Sequence, residues 1–152
     1  MSTLTECHQI SEEGNEKLKK LQDTILTGKA VVEMTESNGN VKYVNESLND
    51  YVVPLLEALK LSHFGYTAWR ISTRISIANK TGPEYIIPIN KISGDPCLLP
   101  GGSLDPGTYI YHDGTGELLP TLVCLFVGRP RKTAVGLILV MLCGLAVSIE
   151  IG

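Results

Sequence analysis

The chain has 152 residues, 43% of them hydrophobic and 19% charged, with a formal net charge of -3 at pH 7. That size suits a single domain whose core needs neither a metal nor disulfide staples. Charge this sparse and this balanced gives no dominant basic face, which excludes a nucleic-acid binder by composition.

Residues 1–9 are polar, with neither the basic nor the apolar region of a signal peptide, so a cytoplasmic or membrane-associated location is expected. Cys7-His8 falls in this polar terminus, which is expected to fray. Ser11 then reads as the cap of a helix from Glu12 to about Ile25, with Leu18, Leu21 and Ile25 on one side. So thin a stripe predicts a peripheral helix. Residues 30–35 and 41–44 flank Ser37-Asn38-Gly39-Asn40, and Asn-Gly between two apolar runs predicts a β-hairpin with a type I′ turn.

Ser47-Leu48-Asn49-Asp50 resembles a second helix start, with Ser47 as cap and Asp50 in the first turn. Leu48, Tyr51, Val52, Leu55, Leu56 and Leu59 follow at helical spacing, and Pro54 predicts a kink or a division into two pieces. From Trp69 onward the pattern changes to period two. Ile71, Ile75 and Ile77 alternate with polar residues. Tyr85-Ile86-Ile87 and Ile89 form a further strand, which Pro88 marks as an edge or an irregular one.

Ser93-Gly94-Asp95-Pro96, Pro100-Gly101-Gly102-Ser103 and Asp105-Pro106-Gly107 are dense in turn residues and predict exposed loop. Tyr109-Ile110-Tyr111 and residues 122–127 are strand candidates on either side of His112-Asp113-Gly114-Thr115-Gly116. Several short strands broken by Gly/Pro turns predict a mainly β, sandwich-like fold with one or two short N-terminal helices, with α+β as the alternative. The expected division is a helix-and-hairpin region over 1–46, then a helix and sandwich over 47–152.

After Arg129-Pro130-Arg131-Lys132 no charge appears until Glu150. Two readings compete for this apolar run. As one helix its uncharged part spans about 24 Å, short of the roughly 30 Å hydrocarbon core, although a basic flank suits a cytoplasmic tail anchor over 133–152. As strands, residues 135–142 and 145–151 flank Cys143-Gly144, and Leu145, Val147, Ile149 and Ile151 alternate with Ala146, Ser148 and Glu150. The two-residue period favours the strand pair.

Ile75-Ser76-Ile77-Ala78-Asn79-Lys80-Thr81-Gly82, then Ser93-Gly94 and the Pro/Gly-rich segment, then Lys132-Thr133-Ala134-Val135-Gly136-Leu137 and Leu145-Ala146-Val147, follow in an order that resembles the actinoporin-like family. The resemblance covers residues 47–152 and sets residues 47–60 in the place of the family's amphipathic helix. It implies a β-sandwich that binds membranes. The family's aromatic headgroup region has no counterpart before Gly152, so pore formation is not implied.

Catalytic patterns are missing. Gly28-Lys29 lacks the rest of a phosphate-binding loop, and Gly102-Ser103-Leu104 lacks the second glycine of a nucleophile elbow. His112 and Asp113 are adjacent, so a strand points them to opposite faces. Cys7, Cys97, Cys124 and Cys143 show no metal or redox spacing and read as small hydrophobes. No enzyme, cofactor, metal or small-molecule substrate is expected. The expected partners are a lipid membrane or copies of the chain itself, met through Trp69, Tyr109 and Tyr111, whose rings suit a membrane interface, and through Arg129, Arg131 and Lys132, which suit anionic headgroups. Three functions follow: a membrane-interacting sandwich, a tail-anchored protein, or a structural subunit of a virion or other large assembly.

Overall fold

A computed structural model describes residues 4–78 and 83–128. The C-terminal run, the basic cluster at 129–132 and the turn at 79–82 lie outside the described residues. In chain order the elements are β1 (Leu4–Gln9), α1 (Glu12–Leu26), β2 (Val32–Thr35), β3 (Val41–Tyr43), α2 (Asn49–Ala58), β4 (Gly65–Ile71), β5 (Ile75–Ala78), β6 (Glu84–Lys91), β7 (Cys97–Leu99), β8 (Thr108–Asp113), β9 (Thr115–Leu119) and β10 (Leu122–Gly128). All strand pairs are antiparallel, in a seven-stranded sheet ordered β1-β8-β6-β10-β4-β3-β2 and a three-stranded sheet ordered β5-β9-β7. The fold is mainly β, as the strand-and-turn pattern predicts.

The large sheet carries a core on each face. On one face α1 and α2 set Leu18, Leu21, Val52, Leu55 and Leu56 against Ile87, Ile89, Val123, Leu125 and Val127. On the other, Ile77, Leu98 and Leu118 of the small sheet meet Ile71, Ile86, Ile110, Leu122 and Cys124. Alternation along β10 feeds both cores at once, which is why residues 122–127 read as a continuous apolar run.

Ser11 caps α1, its Oγ accepting from the Gly14 N–H at 3.1 Å. The helix ends where Gly28 takes a φ of +77° and Lys29 N donates to Thr24 O, a left-handed cap that glycine adopts without strain. Leu21 is fully buried and Leu18 nearly so, so α1 is less peripheral than its thin stripe predicts. A narrow stripe suffices because it fits between α2 and β6.

Several expectations are corrected. Residues 4–9 do not form a fraying terminus; they are β1, an edge strand paired with β8 over Leu4–Asp113 to Gln9–Thr108. The 32–43 hairpin is present, but its turn is not type I′, since Asn38 does not adopt a positive φ. Gly39 N donates to Glu36 O while Gly39 alone is left-handed, a type I turn followed by a bulge glycine. Ser47 does not cap α2. Its hydroxyl donates to Val44 O and accepts from Val31 N, holding a 3-10 turn over Asn45–Ser47 instead.

α2 runs through Pro54 as one helix and stops where Lys60 takes a φ of +63° and Leu61 N donates to Leu56 O. Pro88 lies in β6, an interior strand, and of its two readings the irregular one holds, since the β10 register shifts beside it. It is accommodated because β8 pairs only with residues 84–86 and the β10 register shifts beside it, so its missing N–H costs no ladder bond. The turn-rich stretch at 93–107 is mostly exposed but also holds β7 and the fully buried Leu98 and Leu104. Among the described residues no helix is long and apolar enough to cross a membrane.

Candidate functional site

On the helix-facing side of the large sheet lie the odd-numbered residues of β6 and β8, and among the described residues Tyr85, Tyr109 and Tyr111 stay only half-buried there. There a strip of rings forms. His8 stacks on its cross-strand partner Tyr109 with centroids 5.1 Å apart and planes at 23°. Tyr109 lies 6.0 Å from Tyr85, Tyr85 is 5.3 Å from Tyr111 in an edge-on contact, Phe64 is 5.9 Å from Tyr85, and His63 is 4.2 Å from Phe64. These spacings fall in the range where edge and offset contacts between rings are favourable. Tyr85, Tyr109, Tyr111, Phe64 and His8 are half-buried and His63 is exposed.

Burial pushes the Tyr109 hydroxyl above its ordinary value, with the neighbouring Tyr85 adding to the effect. Beside Phe64 a cleft of about 240 Å³ opens between α2 and the start of β4, lined by Asn45, Val53, Leu56, Ser62, Phe64, Gly65 and Tyr66. The Tyr66 hydroxyl donates to Asn49 Oδ1 at 2.6 Å, and the Asn45 amide donates to Tyr66 O at 2.9 Å, which fixes this wall. The cleft is smaller than the roughly 300 Å³ and upward that encloses a drug-sized ligand. The strip therefore offers a surface rather than a pocket.

Of the residues singled out from sequence, Tyr109 and Tyr111 lie in this strip. Trp69 does not join them. It is half-buried on the opposite face of the sheet, opposite Lys42 and Cys124 in register, because its position on β4 has the parity of Ile71 rather than of Ala68. Arg129, Arg131 and Lys132 lie outside the described residues. Tyr85, Phe64, His63 and His8 were missed. The period of β6 does put Tyr85 on the face of Ile87, but its contact with Tyr111 depends on the β6–β8 register, for which the sequence carries no signal.

The inner face of the same strands holds the second chemically distinct group. Glu84 is the register partner of both His112 and Gly128. Burial pushes the Glu84 carboxyl up to about 8. Burial also lowers the His112 imidazole, partly offset by Asp113 and by hydrogen bonds with the backbone of Thr115 and Gly114, while Nδ1 lies 3.1 Å from Thr5 Oγ1. Burial raises the Cys124 thiol as well, with the Glu84 charge adding to it. Gly116 and Leu99 of the small sheet close over His112. These groups make a largely buried polar cluster between the two sheets. His112 is buried and Asp113 exposed, on opposite faces as their adjacency predicts. Cys7, Cys97 and Cys124 are free thiols, and among the described residues no group of three His, Cys, Asp or Glu is placed to hold a metal.

The chain matches no family model, no curated protein and no solved structure.

Proposed function

We propose that the protein is a non-enzymatic, membrane-interacting β-sandwich of actinoporin-like type that meets lipid through the strip of Phe64, Tyr85, Tyr109 and Tyr111. The observation that carries this reading is the strip itself: contiguous, partly exposed rings, three of them with polar hydroxyl tips, on one end of one sheet face. Such rings are favoured where an apolar interior meets headgroups and water. The order of the chain adds a second support. Gly128 is the register partner of Glu84 and Gly65, next in sequence to Tyr85 and Phe64, and Arg129, Arg131 and Lys132 follow within four residues. Each contributes on the order of 1 kcal/mol near an anionic surface. Membrane binding, rather than pore formation, is the activity proposed, and Trp69 has no part in it.

Flotation with phosphatidylcholine vesicles, with and without phosphatidylserine, tests this reading. The intact chain should float with the anionic vesicles and leave them at high salt. Tyr111→Ser, which removes a half-buried ring in edge-on contact with Tyr85, should weaken partitioning about tenfold, the equivalent of about 1.4 kcal/mol, without unfolding the protein. A chain that resists high-salt and carbonate washing would make it tail-anchored instead. A large soluble oligomer indifferent to lipid would favour an assembly subunit.

A further inference from the structure

We propose that the cleft between α1, the end of β6 and the turn before β8 binds a small zwitterion of the α-amino-acid class, one that carries an ammonium, a carboxylate and an apolar side chain. The cleft holds about 380 Å³, within the range of small-molecule sites. It shares no residue with the aromatic strip, so this inference is independent of lipid binding there.

One wall is a single face of α1, where Asn15, Leu18, Lys19, Gln22, Asp23 and Leu26 fall at helical spacing. The opposite wall exists because β6 is irregular at Pro88. Cys124 pairs with Pro88 but the adjacent Val123 pairs with Asn90, so Ile89 is an extra residue in the strand. A regular two-residue period would put Asn90 with Ile86, on the face of the small sheet. The bulge turns Asn90 to the face of α1 instead, beside Ile89. Gln22 Nε2 donates to Ile89 O at 2.8 Å, which fastens the two walls together. Pro106 and Gly107 close the third side. They are held by Ile10 N donating to Gly107 O at 2.9 Å and by Lys91 Nζ donating to Asp105 Oδ1 at 2.9 Å.

The polar groups gathered in this cleft are complementary to a zwitterion. Asn90 Nδ2 is buried and meets no hydrogen-bond acceptor among the described residues. A donor buried in this way destabilises the fold, and a ligand carboxylate set against it removes that penalty. Asn15 Nδ2 donates to Ile10 O at 3.3 Å, and Asn15 Oδ1 lies towards Gly107, 3.7 Å from where a Cβ would stand. With their nitrogens turned to the backbone, the Asn15 and Gln22 amides offer oxygens to an incoming N–H. Lys19 and Asp23 stand one helical turn apart on the exposed rim and present one charge of each sign. The ligand's carboxylate meets Lys19 and Asn90, and its ammonium meets Asp23 and the two amide oxygens. Leu18, Leu26 and Pro106 provide the apolar surface for its side chain.

Proton–nitrogen correlation spectra of the isotope-labelled intact chain, titrated with leucine to millimolar concentration, test the proposal. The side-chain amide signals of Asn15, Gln22 and Asn90 should shift together and saturate. N-acetylleucine and leucinamide, each lacking one charge, should bind about tenfold more weakly. Lys19→Gln and Asp23→Asn, both on the exposed helix surface, should each weaken leucine binding about tenfold. Asn90→Ala should do the same while leaving the urea midpoint of the free protein unchanged or raised, because the amide it removes is unsatisfied. Amide signals that do not move with leucine would overturn the proposal. So would equal affinity for leucine and its two derivatives, or leucine binding untouched by all three substitutions. A lowered midpoint for Asn90→Ala would show that the amide already has its partner and would overturn it too.

Discussion

Glu84 offers the sharpest test of the packing. Its carboxyl titrates near 8 against an ordinary value of 4.5, and burial between the sheets is the cause. An acid whose folded value lies above its unfolded one keeps its proton in the folded state after the unfolded chain has lost it, so stability falls as pH rises from about 4.5 to about 8. The full interval corresponds to about 5 kcal/mol. Glu84 keeps some solvent contact, which screens the charge, and about 2–3 kcal/mol is the expected effect. Glu84→Gln imitates the protonated form. It should match the parent at pH 4.5 and exceed it by about 2–3 kcal/mol at pH 8.5 in urea unfolding followed by Trp69 emission. His112 works in the opposite sense, since its lowered value makes stability rise with pH up to about 6.5, but it is common to both proteins and cancels in the difference. A difference between the two proteins that does not change with pH would refute the burial of Glu84.

Two further substitutions probe the joints between layers. Asn40 is 1% exposed and its Oδ1 accepts from Ser72 N at 2.7 Å and Thr73 N at 3.0 Å, tying the β2–β3 turn to the corner where the chain passes from β4 to β5. Asn40→Ala should cost about 2 kcal/mol, while Asn40→Asp, which keeps the oxygen that accepts both hydrogen bonds, should cost less at pH 7; equal urea midpoints for the two variants would sink this account. At Gly116 a Cβ would lie 2.7 Å from Leu99 O, whereas Gly102 has nothing within 4 Å. Gly116→Ala should therefore lower stability by about 1–3 kcal/mol and Gly102→Ala should be close to neutral, as measured by thermal melts.

Much of the local structure is written in the sequence. Ser11 before Glu12, Gly28 after the last turn of α1, and Asn38-Gly39 between two short apolar runs each dictate a local geometry through backbone chemistry, and the helix, its end and the hairpin stand where those residues put them. The alternation of Ile71, Ile75 and Ile77 likewise gives strands, since one face of each must be buried. Local chemistry stops short where a long-range partner decides. Residues 4–9 are polar enough to fray alone, and only the full register with β8 makes them an edge strand. Pro88 reads as the mark of an edge or of an irregular strand, and only the tertiary structure decides for the second, where the end of β8 pairing and a bulge against β10 admit it to the middle of the sheet.

The same division holds for the candidate site. Tyr109 and Tyr111 share a face by the two-residue period of any strand, a property fixed by covalent geometry. That Trp69 takes the opposite face, and that Tyr85 and Phe64 complete the strip, follows from strand order and register. Those depend on which hydrophobic faces find each other across the folded molecule, over separations that local sequence does not encode.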